Sequence, residues 1–186
     1  MKTKILIYTI FLFSLHFAFA QEVIIPLEER IELVENPSNT YYYKDVNGAL
    51  NKYVGTWKYE TSTEVFEITF SLNIHSSAGK DFKDELISKF KYTRNGVVIY
   101  NTYTSLRNYN ISGGFFKFPN NTNKIKLYYS EPDVTYRTIQ SQLELEYVPS
   151  TTLGGANTLI WKRKIFQDSP TPPPFELPKN MTLVKQ

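Results

Sequence analysis

The chain has 186 residues, and 21 Lys and Arg stand against 18 Asp and Glu for a formal net charge of +3. It contains no Cys, which excludes thiol nucleophiles, Cys-ligated zinc, disulfide staples and a membrane tether through a lipidated cysteine. The charge balance gives no polyanion-binding surface, so no nucleic-acid partner is expected.

Lys2 and Lys4 make a short basic start, and Ile5 to Phe17 form an apolar run that ends in Ala18-Phe19-Ala20. Small residues at the first and third positions of that triplet suit a signal peptidase, so residues 1–20 read as a signal peptide cleaved between Ala20 and Gln21. The run is short of the ~20 apolar residues that cross a bilayer. The expected product is therefore exported, periplasmic or extracellular, with no membrane anchor after cleavage. Losing Lys2 and Lys4 also brings the mature chain close to neutrality.

Residues 21–44 mix apolar and acidic side chains and read as an N-terminal arm, leaving 45–186 as a single domain. Asp45 to Val54 places Val46, Leu50 and Tyr53 at helical spacing, with Asp45 able to cap the start, which predicts one short helix. From Gly55 the apolar period becomes two. Phe66 to Ile74, Ser141 to Tyr147 and Leu159 to Ile165 all alternate, so each lays one side on a core as a half-buried strand.

Turn chemistry separates these runs. Asn95-Gly96 suits a two-residue hairpin. Further breaks are predicted at Ser112-Gly113-Gly114, Pro119-Asn120-Asn121, Glu131-Pro132-Asp133 and Pro149 to Gly155. The Pro-rich run from Ser169 to Pro174 cannot continue a central strand, and a last strand is predicted at Met181 to Lys185. The count is about eight or nine strands. Their near-uniform order favours an all-β, antiparallel up-and-down meander closed into a barrel, with a β-sandwich as the alternative.

Lys52-Tyr53-Val54-Gly55-Thr56-Trp57-Lys58-Tyr59 resembles the opening of lipocalin-like (calycin) barrels. That resemblance implies that Gly55 lets the chain enter the sheet, that Trp57 plugs the closed end and that Arg163 covers the indole; otherwise Trp57 is simply a large core residue. A second resemblance rests on the Ala18-Phe19-Ala20-Gln21 leader end, Lys44 to Asn47, Tyr53 to Trp57, the Asn95-Gly96 hairpin and the ending Pro178 to Gln186. On these the chain resembles a family of small exported proteins of unknown function from Bacteroidota, especially flavobacteria. The likeness implies export and a compact β domain, and it transfers no catalytic residue.

Few residues offer chemistry. His75 is the sole histidine of the mature chain, and strict alternation puts it with Glu67, Thr69, Ser71 and Asn73 on a polar face. One histidine does not make a zinc site, and no metal or other cofactor is expected. Glu144 and Glu146, ~7 Å apart along one strand face, could suit a glycosidase pair, although Gln140 and Gln142 mark the same face as a wet one. The acids of Lys80 to Glu85 and of Glu131-Pro132-Asp133 read as exposed turns. Tyr41-Tyr42-Tyr43, Tyr100, Tyr103, Tyr109, Tyr128 and Tyr129 could line a pocket or contact surface, or merely fill a sheet.

No catalytic constellation emerges, so the expected function is non-enzymatic binding of an unknown small molecule or protein. An apolar molecule in a barrel lumen comes first, an interaction or inhibitor protein with a packed barrel second and a carboxylate-based hydrolase third. N-terminal sequencing of the exported product should start at Gln21 or beside it; retention of Met1 would overturn the export reading.

Overall fold

The computed structural model describes residues 22–31, 33–105, 110–132, 140–165 and 175–186. The leader, Tyr109, Asp133 and the Pro-rich run from Ser169 to Pro174 lie outside the described residues. Apolar–polar alternation dominates what is described, and it builds strands β1 (Val23–Pro26), β2 (Tyr41–Lys44), β3 (Gly55–Glu60), β4 (Glu64–Ala78), β5 (Asp81–Arg94) and β6 (Val97–Asn101). They continue with β7 (Ile111–Phe118), β8 (Asn121–Ser130), β9 (Gln140–Val148), β10 (Thr158–Ile165) and β11 (Asn180–Lys185).

Eight of these close a barrel. The order is β3-β4-β5-β7-β8-β9-β10-β11, each antiparallel to the next. The last strand returns to the first through Val184 opposite Lys58 and Lys185 opposite Trp57. This is the up-and-down meander expected from the order of the runs. The Asn95-Gly96 loop does join β5 to an antiparallel β6, but β6 lies off the barrel path.

One edge of β5 serves three partners in turn. β2 pairs in parallel at Phe82 and Lys83, β7 pairs at Leu86 and Ile87, and β6 takes Lys91 to Arg94. β1 adds in parallel to β2. The predicted arm thus packs on the barrel wall, and Tyr41, Tyr42 and Tyr43 are all buried there. They are sheet filling and not a contact surface. Tyr42 donates its hydroxyl to Asp84 at 2.7 Å, and Tyr43 donates to Glu35.

Several local expectations change. The helix at 45–54 reduces to a three-residue 3-10 turn, Asn51–Tyr53, because Gly48 takes a φ of +64° that no helix continues. Asp45 does not cap that turn, whose N-cap Leu50 has no side-chain cap; it accepts from the Ala49 and Leu50 amides before it at 2.7 and 3.0 Å. Gly113 and Gly114 sit inside β7 and not in a turn, and the register with β8 shifts there. A Cβ on Gly113, at a φ of +128°, would lie 3.2 Å from the Leu127 Cα, so the closeness of the β8 backbone requires glycine.

Lys80 to Glu85 is not an exposed turn either: β5 starts at Asp81, and Asp84 and Glu85 are buried. Asp84 accepts from the His75 and Asp45 amides at 3.0 and 2.9 Å as well as from Tyr42. Those bonds hold a bulge in β4, where the register shifts between Asn73 and Ser76. The bulge breaks the alternation, leaving Ile74 exposed and His75 at a φ of 56°. The His75 ring stacks on Phe82 at 4.1 Å, and its Nε2 meets Glu22 at 3.1 Å.

Inside the barrel, rings from opposite walls meet. Phe66 of β4 lies 5.4 Å from both Phe90 of β5 and Trp161 of β10, and Trp161 lies 6.3 Å from Tyr129 of β8. Nearer the start of β3, Trp57 is fully buried, donates its indole N–H to the Tyr53 carbonyl at 2.8 Å and packs edge-on to Tyr147. Trp57→Ala should cost about 3–5 kcal/mol of stability in urea unfolding. A loss under about 1 kcal/mol would show that the ring contributes little to the core.

Candidate functional site

Polar groups gather at one end of this apolar interior. The inner face of β8 runs Ile125, Leu127, Tyr129 and, one step past the strand, Glu131; that of β10 runs Leu159, Trp161 and Arg163. Glu131 is fully buried, and Arg163 is only 7% exposed. The segment Phe175–Leu177 crosses above them.

Each member of this cluster has a traceable role. Tyr129 donates its hydroxyl to Glu131, whose other carboxylate oxygen accepts the Glu176 amide at 3.0 Å. Arg163 donates from Nη2 to the Leu177 carbonyl at 2.9 Å. The Arg163 guanidinium carbon lies 4.3 Å from the Phe175 ring centre and 5.6 Å from that of Tyr129. From the rim, Arg94 grips Glu176 twice, through its carboxylate at 2.6 Å and its carbonyl at 2.7 Å. The crossing segment is thereby fastened by two arginines and a carboxylate.

Three nitrogens in this cluster are buried without a hydrogen-bond partner among the described residues: Trp161 Nε1, Arg163 Nε and Arg163 Nη1. All are donors. A buried polar group left unpaired costs about 1–3 kcal/mol, so an arrangement of this kind favours acceptor atoms between Trp161 and Arg163. Burial pulls the Arg163 pKa down, while the neighbouring Tyr129 and Glu131 oppose the shift. Burial, and then Glu131, pushes the Tyr129 hydroxyl well up. The arrangement can donate hydrogen bonds to a guest.

The resemblance to calycin barrels pairs Arg163 with Trp57, and here the structure differs. The cation over the Trp57 ring is Lys185 of β11, at 5.1 Å. Register explains the exchange: Lys185 stands opposite Trp57, and Thr158 opposite Val184. Arg163 lies five residues farther along β10, roughly 17 Å at strand rise. Gly55 opens β3 at a φ of +113°.

A family model matches residues 1–186. The chain belongs to the DUF6705 family, a family of unknown function. No curated protein and no solved structure matches it.

The described tyrosines singled out in this DUF6705 chain do not form one site, although Tyr100 comes within electrostatic reach of Tyr129. Tyr128 and Tyr129 are neighbours in β8 and so face opposite ways: Tyr129 is fully buried, while Tyr128 is 46% exposed. Tyr100 packs partly buried against the core, and Tyr103 stands exposed with its hydroxyl 2.9 Å from that of Thr69. Glu144 and Glu146 are taken up by Lys117 at 3.0 Å and Lys124 at 3.2 Å. Glu131, read as part of an exposed turn, is buried because the β8 alternation carries through to it.

Burial also raises the hydroxyls of Tyr42 and Tyr92 to about 12, each with a carboxylate hydrogen bond adding to the effect, and moves Tyr43 and Tyr53 up. These groups ionise near pH 10 when unfolded. Above that pH the unfolded chain sheds protons that the fold retains, so stability falls as pH rises. Urea unfolding should show stability flat from pH 8 to about 10 and dropping steeply above it. A curve that stayed level through pH 11 would contradict burial of these hydroxyls.

Proposed function

We propose that this DUF6705 chain is an exported, non-enzymatic binding protein that takes a small polar molecule at the Arg163 end of a packed barrel. The observation that carries the reading is the set of unpaired donors on Trp161 and Arg163, both buried and both on the inner face of β10. Native interiors pair nearly all such groups, and the Leu177 carbonyl that Arg163 does meet is taken by its Nη2.

Two other readings lose support. An apolar guest on the barrel axis would compete with Phe66, Phe90, Trp161 and Tyr129, whose rings touch there. Eight-stranded barrels have an interior that side chains alone can fill, and aromatic rings are the bulkiest fillers. Hydrolysis by Glu144 and Glu146 would call for carboxylates in contrasting environments, whereas both sit in cross-strand pairs with lysines. Export rests on the leader sequence.

Native mass spectrometry of the protein isolated from its own exported fraction tests the reading. The mature chain should carry a small polar adduct that Arg163→Gln, still folded by circular dichroism, releases. An apolar adduct kept by both proteins would move the ligand to the axis. A bare wild-type chain would reject the mouth as a binding site.

A further inference from the structure

The chemistry around Arg163 also selects the guest. We infer that the mouth binds a small uncharged molecule through carbonyl oxygens, held by the indole N–H of Trp161 and the free N–H groups of Arg163. This rests on the reading of the mouth as the binding site and adds the class of ligand.

Charge decides against an anion. The buried guanidinium of Arg163 already has the buried Glu131 carboxylate as its electrostatic counterpart, and Glu131 is held in place by Tyr129 and the Glu176 amide. On the rim, Arg94 is shared between Glu64 at 3.4 Å and Glu176 at 2.6 Å. Among the described residues, two arginines therefore meet three carboxylates across the mouth and its rim. A further carboxylate or phosphate would enter a low-dielectric site in which each described arginine already has a carboxylate counterpart, at a desolvation cost of several kcal/mol.

Donor and acceptor counts decide against a polyol. Among the described residues, the buried unpaired atoms are Trp161 Nε1, Arg163 Nε and Arg163 Nη1 in the mouth, none of which can accept, together with Glu28 Oε2 and Arg30 Nη1 of the N-terminal arm. A sugar hydroxyl would satisfy one of them while bringing a new proton that itself needs an acceptor. Each Glu131 oxygen already takes one donor, so the mouth atoms left wholly without a partner are donors. A carbonyl oxygen accepts twice and brings no proton. Trp161 and Arg163 are two residues apart on one strand face, ~7 Å, so a molecule with two carbonyls, or one bridging carbonyl, matches the spacing.

The two tryptophans make the test internal. The chain has two Trp; Trp57 donates its indole N–H to the Tyr53 carbonyl, and Trp161 has no partner. In a ¹⁵N spectrum of the mature protein, N,N-dimethylacetamide should move the Trp161 indole signal saturably and leave that of Trp57 in place. Trp161→Phe assigns the signals. Acetate at matched ionic strength should bind at least about tenfold more weakly, and erythritol should cause no saturable shift. Arg163→Met should abolish the response to dimethylacetamide, with the Trp57 signal reporting that the barrel is intact.

The outcomes separate the two claims. Saturable binding of acetate or erythritol in preference to dimethylacetamide would overturn the carbonyl assignment and leave the mouth as a binding site. A Trp161 signal indifferent to all three probes would overturn both, leaving the donors to solvent. Should Arg163→Met fail to fold, the wild-type comparison among probes still decides the ligand class.

Discussion

Contact between Phe66, Phe90, Trp161 and Tyr129 is the constraint from which the rest of the molecule follows. Their rings come from β4, β5, β10 and β8 and stand 5.4 to 6.3 Å apart at successive centres. Each aromatic buries a large apolar area, and tilted or edge-on pairs add to that burial. In a chain without cross-links, this packing is what opposes the entropy of ordering so many strands. The wall can close on itself only because the space it encloses is narrow enough for these rings to span.

A filled axis forces polar groups to the ends. Trp57 occupies one end, with Tyr53, Tyr147 and Lys185 around it, and every indole and ring there has an aromatic, carbonyl or cationic neighbour. The other end is different in kind. Arg163, Glu131 and the Trp161 indole N–H are buried together, and their pairing is incomplete. Stability alone would favour apolar residues of similar size at such positions. The paired indole of Trp57 against the unpaired indole of Trp161 is the contrast on which the proposed binding role rests.

Much of this was legible in the sequence. The period of two in Phe66 to Ile74, Ser141 to Tyr147 and Leu159 to Ile165 placed Ile68, Leu143 and Trp161 in the core where they lie. The same rule, carried one step past Tyr129, reaches Glu131, and carried past Trp161 it reaches Arg163. A proline after Glu131 suggested an exposed turn and masked that signal. What periodicity could not reveal are contacts fixed by register and by bulges. Lys185 covers Trp57 because β11 meets β3 in one particular offset, and His75 leaves its expected face because Asp84 gathers the amides of a bulge from β5. Neither offset is written in local spacing.

The unpaired mouth is joined to the closure of the barrel by the chain itself. Phe175–Leu177, fastened by Arg94, Glu131 and Arg163, leads within three residues to β11, the strand that completes the wall against β3. Arg163 bonds this segment twice over, through its Nη2 to Leu177 and through its backbone amide to the Lys179 carbonyl at 2.9 Å. Any guest that engages the remaining N–H groups of Arg163 therefore acts on the residue that also holds the entry to the closing strand. Binding at the mouth and stability of the seam are then linked quantities, because a ligand that prefers the folded mouth adds its binding free energy to the folded state. A guest of the proposed kind on the unpaired donors of Arg163 would thus strengthen the hold on β11, the strand that pairs back to β3.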